Sequence, residues 1–231
     1  MKKPVLIVCA SAGEQPTLLE KSLNAMKNTD KKYKKQYKLK MYNNNKTGLS
    51  ELYNKHLNEQ TLKSHDVVLF VHDDVFIDDL ACFDKLYSAM FTYGNDIVGL
   101  AGSNKATIKK PTLWHLMSPR EHHSGAVAHF SSGVGDDVMH MSSFGIYPRR
   151  CLVLDGLFLA INLKRAIETE WRFNENFKFH HYDIASCLDA NDKKLKMTTW
   201  NIHVAHSSPG LDNYQDESFQ QSEKLFIDLY T

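Results

Sequence analysis

The chain has 231 residues, 42% apolar and 24% charged, which suits one large α/β domain or two small ones around a real core. With 28 Lys and Arg against 27 Asp and Glu, its formal net charge is +1, which argues against a nucleic-acid binder relying on bulk charge. No apolar run approaches the roughly 20 residues that cross a bilayer, and the apolar start after Met1-Lys2-Lys3-Pro4 is too short for a secretory signal. A cytoplasmic protein without a transmembrane segment is expected.

Val5 to Ala10 is a continuous apolar run, the pattern of a strand buried on both faces of a parallel sheet. Ser11 to Pro16 is a loop at its carboxyl end. Thr17-Leu18-Leu19-Glu20 is a capping box that opens a helix with Leu19, Leu23 and Met26 on one face. The Lys-rich run from Lys27 to Lys40 reads as a solvated helix end, loop and edge strand, with peripheral contact to an anionic membrane surface as its second reading. Within it, Tyr37, Leu39 and Met41 alternate with lysines, as in a strand with one polar face. A loop over Asn43 to Gly48 precedes a helix that lines up Leu49, Leu52, Tyr53, His56 and Leu57.

Val67-Val68-Leu69-Phe70-Val71 is again fully apolar, and it ends abruptly in His72-Asp73-Asp74. Ligands in open α/β sheets bind beyond the carboxyl ends of strands. A carboxylate cluster there can hold a hard divalent cation whose other positions go to water and substrate phosphate. The plainer alternative is a solvated turn with Asp capping the next helix. Asp78 and Asp79 suit that capping role, since Leu80, Phe83, Leu86, Tyr87, Met90 and Phe91 follow as a helical apolar face. Asp96 to Gly102 is a further short strand, so the first hundred residues form a doubly wound, Rossmann-like half.

Ser103 to Arg150 is rich in Gly, Ser and His and has no sustained period; it reads as a partly ordered, irregular insertion that shapes a substrate site. Cys151 to Ile161 is strand-like with an Asp155-Gly156 interruption, Phe173 to Phe177 is a turn between aromatics, and Asp183 to Ala190 is helical. Leu195 to His206 reads as one strand placing Trp200, Ile202, Val204 and His206 on one face, so that His206 reaches the same strand-end site. Phe219, Leu225, Phe226 and Leu229 mark a closing amphipathic helix. With neither repeats nor a linker, the chain is expected to be one domain with halves at 1–103 and 104–231. Cys9, Cys82, Cys151 and Cys187 have no metal spacing and read as buried free thiols of a reducing compartment. A zinc site on His203 and His206 is disfavoured, because the two residues point to opposite faces of a strand.

The chain resembles the inverting, GT-A-fold glycosyltransferases of family 2, specifically the streptomycin-biosynthesis StrF-type domain. The matching residues run in order: Asn45-Lys46-Thr47-Gly48-Leu49-Ser50-Glu51-Leu52-Tyr53-Asn54, Val68 to Val75 with His72-Asp73-Asp74, Val98-Gly99-Leu100-Ala101-Gly102-Ser103 and Leu154-Asp155-Gly156. Phe173-Asn174-Glu175-Asn176-Phe177, His181-Tyr182-Asp183-Ile184 and His206-Ser207-Ser208-Pro209-Gly210 complete the set. The resemblance implies a mixed, mostly parallel sheet flanked by helices, a nucleoside-diphosphate-sugar donor (a UDP-sugar above all), a glycan or other hydroxyl acceptor, and Mn2+ or Mg2+. It further implies a role in bacterial glycan or surface polysaccharide synthesis.

The acidic strand end stands where such enzymes carry a DxD metal motif, with His72 in the first position. Asp74 is then the principal metal ligand, His206 reaches the metal or diphosphate, and His72 and Asp73 assist with the donor. Asp183 falls near the family's base, and Asp155 is the rival base or an acceptor contact. Ser11, Ala12, Asn43 and Asn45, at the ends of the first two strands, are expected to hold nucleobase and ribose. Two alternatives remain: a nucleotide-sugar-binding partner module without catalysis, favoured by His72, and a zinc-dependent hydrolase built on the histidine pairs.

Overall fold

The computed structural model describes residues 2–13, 16–131, 138–207 and 216–231. Glu14 and Gln15 of the first loop, residues 132–137 of the insertion, and the Ser208-Pro209-Gly210 part of the last family motif lie outside the described residues.

The first half runs β1 (Val5–Ala10), α1 (Leu18–Thr29), β2 (Tyr37–Tyr42), α2 (Leu49–Asn54), α3 (Glu59–Leu62), β3 (Val67–Val71), β4 (Val75–Ile77), α4 (Cys82–Tyr87), β5 (Ile97–Gly99) and β6 (Ala101–Ser103). The second half runs β7 (His123–Ser131), β8 (Val138–Gly145), β9 (Val153–Leu154), β10 (Phe158–Asn162), α5 (Leu163–Glu168), α6 (Tyr182–Asp192), β11 (Met197–Thr199), β12 (Val204–His206) and α7 (Glu217–Tyr230). The main sheet has the order β11-β5-β10-β3-β1-β2. Its neighbours are parallel except for β10, which runs antiparallel to both β3 and β5. A second sheet has the order β4-β12-β7-β6-β9, with β8 added to β7.

The apolar runs explain the centre. All five residues of β3 are fully buried, and β1 beside it is buried except at Ala10, as strands covered on both faces must be. β2 is the edge strand and keeps its lysines outside, while Tyr37 packs inward on Phe83. The capping box at Thr17 and Glu20 forms as the sequence implies, and α1 buries Leu19, Leu23 and Met26. Leu19 N donates to Asp73 O (3.2 Å), so the start of α1 is fastened to the acidic end of β3.

Four expectations change. Asp96 to Gly102 is two strands, β5 in the main sheet and β6 in the second, and the chain crosses between sheets at Leu100. Leu195 to His206 likewise splits into β11 and β12, so Trp200, Ile202, Val204 and His206 do not share one strand face. The apolar pattern cannot reveal either crossing, because both sheets bury these residues. The irregular insertion at 103–150 instead contains the long antiparallel pair β7 and β8. These strands are rich in Ser, Gly and His, and β7 is held by pairing with β6 and β12, and β8 by β7, without an apolar alternation. At Gly125 (φ 105°) a Cβ would collide with the Leu100 carbonyl, so the close approach of β7 to β6 requires glycine. Finally, Leu80, Phe91 and Leu229 are exposed (42%, 51% and 50%). A π turn at Ser88–Thr92 shifts the phase after α4, burying Ala89 and Met90 and turning Phe91 outward.

The four cysteines are buried and free. No helix among the described residues is long and apolar enough to cross a membrane. The protein is a single mixed α/β domain whose main sheet, mostly parallel, is flanked by helices.

Candidate functional site

His72, Asp73 and Asp74 leave the carboxyl end of β3 at the centre of the main sheet. His72 N donates to Leu157 O (3.0 Å), and Asp74 O accepts from Ser207 N (2.9 Å), so the segment is pinned on both sides. β4 follows at once and pairs antiparallel with β12, placing His206 opposite Val75. That pairing carries His206 to Asp74.

His72, Asp74 and His206 form a cluster in which one ligand atom from each lies within 4.8 Å of the others. Asp74 Oδ1 and His206 Nε2 are 3.2 Å apart. Asp74 Oδ1 and His206 Nδ1 are nevertheless buried with no hydrogen-bond partner among the described residues. Buried polar atoms left without partners are costly, and a cation would satisfy such a carboxylate oxygen. The donor set therefore fits a divalent metal ion. Burial alone would lower the pKa of His206, but Asp74 beside it outweighs burial and raises it. Burial likewise opposes ionisation of Asp74, and His206 then His72 overcome it and hold the carboxyl below its usual range. Burial lowers the pKa of His72, against the pull of Asp74 and Asp155, which favours the neutral ring that metal ligation requires. Asp73 is half-buried beside the cluster and does not belong to it.

The two loops expected to hold a nucleoside do come together. Asn45 N donates to Ser11 O (2.9 Å) and Asn44 N to Gly13 O, which stitches the ends of β1 and β2 into one rim. Ser11 is buried and its hydroxyl accepts from Gly13 N, whereas Ala12 and Asn43 are exposed. The Asn45 side chain closes its own turn, accepting from Thr47 N and donating to Thr47 O.

On the other side of His72 a cavity of about 240 Å³ runs between the β9–β10 turn and the start of α6. Its walls include His72, Trp114, Asp155, Phe179, Tyr182 and Asp183. Asp155 Oδ2 accepts from Trp114 Nε1 (2.8 Å) and its Oδ1 from Leu157 N (3.0 Å), so both oxygens are held. Asp183 Oδ2 accepts from Gly156 N (2.9 Å). Burial, then the negative charge of Asp155, pushes the Asp183 pKa up to about 7, against the pull of the Ile184 and Gly156 amides. Asp183 is not the cap of its helix. That place belongs to His181, in the left-handed conformation (φ 63°) and without a capping side-chain bond. His181 instead bonds Thr112 (2.6 Å) and Ser222 (2.8 Å), and burial lowers its pKa to about 4. Thr112 in turn donates to the buried Glu223 of α7, so the closing helix holds the Thr112–Trp114 strap against the cavity.

Sequence reasoning missed several residues around the cluster and the cavity. His129 of β7 has its ring 5.6 Å from that of His206, because the two are register partners in parallel strands. Phe179 is 58% exposed and lies nearly parallel to the His72 ring (21°, 6.5 Å). His129 and Trp114 sit in the stretch read as irregular, where no periodicity marks a direction. Phe179 next to two histidines was the one available signal. His203 is exposed, precedes β12 and is not part of the cluster.

Neither a protein-family model nor a curated protein sequence matches the chain. Solved structures do resemble it. A197 from STIV is 13% identical over 89% of this chain and 86% of its own, with a TM-score of 0.54. GalNAc-T7, solved with UDP, GalNAc and Mn2+, is 10% identical over 99% of this chain, with a TM-score of 0.61. The mannosyltransferase PcManGT from Pyrobaculum calidifontis, in complex with GDP-Man and Mn2+, is 9% identical over 92% of this chain, with a TM-score of 0.51. The chain spans 48% and 59% of the lengths of those last two proteins. The likeness establishes the fold, which is the GT-A, Rossmann-like arrangement.

Proposed function

We propose that the protein is an inverting, metal-dependent glycosyltransferase that moves a sugar from a nucleoside-diphosphate sugar, a UDP-sugar above all, to a hydroxyl of a glycan acceptor. The observation that carries this reading is the meeting of two groups of residues at one strand end. The cluster of His72, Asp74 and His206 adjoins the cavity that holds the carboxylates Asp155 and Asp183, and His72 belongs to both. Two structures of like fold hold UDP or GDP-Man together with Mn2+. The StrF-type motifs and a role in bacterial glycan synthesis are part of the same proposal.

His72, Asp74 and His206 would hold Mn2+ or Mg2+, which as a Lewis acid neutralises the charge developing on the leaving diphosphate. The linked loops at Ser11–Gly13 and Asn43–Asn45 form the rim for nucleobase and ribose. Inversion needs one base to take the acceptor proton on the side opposite the leaving group. Asp183 has the environment for it, since a pKa of about 7 pairs proton affinity with ionisation at working pH. Asp155 is the lesser candidate, because Trp114 and Leu157 already engage both of its oxygens. Its charge strengthens Asp183 as a base. Neither Lys nor Arg is among the described residues lining the cavity, so it suits a neutral acceptor ring with an apolar face, stacked on Phe179.

Two imidazoles and one carboxylate also suit Zn2+ or Fe2+, so metal identity is the point of the test. A thermal-shift panel of nucleoside diphosphates and nucleotide sugars, run with and without Mn2+, should show stabilisation by one nucleotide that depends on the metal. A ligand at 100 times its Kd contributes about 2.7 kcal/mol. Purified protein with stoichiometric Zn2+ or Fe2+ and no nucleotide response would overturn the reading.

A further inference from the structure

Tyr182 opens α6 and is 3% exposed, with its ring packed edge-on to Tyr53 at 5.9 Å. Besides the Tyr53 hydroxyl, its own hydroxyl has two close polar neighbours. It donates to Gly156 O at 2.8 Å, and it lies 2.9 Å from His72 Nε2. A phenol has a single proton, and a carbonyl oxygen can only accept. With that proton given to Gly156 O, Tyr182 meets His72 as an acceptor. His72 Nε2 must then carry a hydrogen, and the lone pair of the neutral ring sits on Nδ1.

We propose that Tyr182 is a positioning residue that fixes His72 as its Nε2–H tautomer and so reserves Nδ1 for the metal ion. The ligand role rests on the metal reading above, whereas the tautomer rests on the hydrogen bonds alone. Histidines that bind metals donate their other ring N–H to an oxygen partner, which sets the ring orientation and raises ligand basicity. That partner is ordinarily a carboxylate, carbonyl or water; here it is a phenol whose own proton is spoken for.

The same arrangement ties the metal side of the cavity to the proposed base. Gly156 receives the Tyr182 proton at its carbonyl and gives its N–H to Asp183 Oδ2. Two consecutive residues of α6 thus clamp Gly156 of the β9–β10 turn through the two peptide units that flank it. A Cβ on residue 156 would stand 2.5 Å from the Tyr182 oxygen and 2.9 Å from Asp183 Cβ, so only glycine lets the clamp close. The chain of contacts His72–Tyr182–Gly156–Asp183 keeps metal ligand and base in one rigid unit.

The test is a long-range 1H–15N NMR spectrum of metal-free protein labelled at histidine nitrogens, with His72 assigned by the signals lost in His72→Gln. The wild type should show His72 with its hydrogen on Nε2. Tyr182→Phe keeps the ring packing and removes only the hydroxyl, so His72 should lose that fixed tautomer. Mn2+ affinity, read by EPR of the free ion, should fall by about 10- to 100-fold, the usual cost of losing an outer-shell partner. A hydrogen on Nδ1 of His72 in the wild type overturns the assignment even if Tyr182→Phe proves too unstable to study. A folded Tyr182→Phe with unchanged tautomer and Mn2+ affinity overturns the positioning role. Wild-type protein that binds no Mn2+ overturns the metal reading and the ligand role with it, a result separate from the tautomer.

Discussion

Asp74 Oδ1 stands 3.2 Å from His206 Nε2, and a single backbone register sets that distance. His206 pairs with Val75, the residue after Asp74, and Ser207 N closes onto Asp74 O. A one-residue slip between β4 and β12 would turn His206 to the other face of the ribbon. The short pair β4–β12 is therefore what brings Asp74 and His206 together from the two halves of the chain.

Asp74→Asn should abolish metal-dependent binding of a nucleoside diphosphate, and His206→Ala should weaken it, with the fold retained in both. Calorimetric titration of the diphosphate with and without Mn2+ reads this directly. In wild-type protein the affinity for Mn2+ should fall as pH drops, since His206 has a raised pKa and must lose its proton to bind the ion. Without metal, the pair itself stabilises the fold in a pH window. The His206 share is lost as pH rises through its raised pKa, and the Asp74 share is lost as pH falls through its lowered one. Metal-dependent affinity that is unchanged in Asp74→Asn would end the assignment.

Asp183→Asn should lower kcat by roughly 10²-fold or more, the scale of a lost general base, and leave donor binding nearly intact. Asp155→Asn is the control: full loss of turnover there, with near-normal kcat in Asp183→Asn, reverses the roles. Stability gives a second readout. The Asp183 pKa is raised to about 7, so the folded state keeps a proton that the unfolded chain releases. Stability then falls as pH rises from the ordinary carboxylate range through about 7, and the full cost applies above it. Asp183→Asn should melt higher than wild type at alkaline pH, with the difference closing in acid. A constant difference across pH would mean that Asp183 ionises normally.

Gly156→Ala should destabilise the protein by about 1–3 kcal/mol, because the new methyl lands on the Tyr182 oxygen and the Asp183 side chain, neither of which is a free chain end. Denaturant titration measures it. A change within about 0.5 kcal/mol would show that the clamp is loose.

The sequence by itself determined the central strands β1 and β3 and the polar end of β3. Uninterrupted, largely β-branched apolar runs at Val5–Ala10 and Val67–Val71 have the pattern of central strands, and the sudden polarity of His72-Asp73-Asp74 marks where the sheet meets solvent. The capping box at Thr17 is likewise local chemistry, and it forms as written. Which polar residues converge was decided by tertiary structure. Asp73 and Asp74 are adjacent in sequence, yet only Asp74 joins the cluster, because the chain turns straight into β4 and β12 brings His206 to it. His129 and Trp114 reach the site through strand pairing and a strap held by α7, contacts distant in sequence that leave no local periodicity. The roles of Tyr182 and Gly156 are of the same kind. Only the tertiary structure brings Gly156 O and His72 Nε2 to the same Tyr182 hydroxyl.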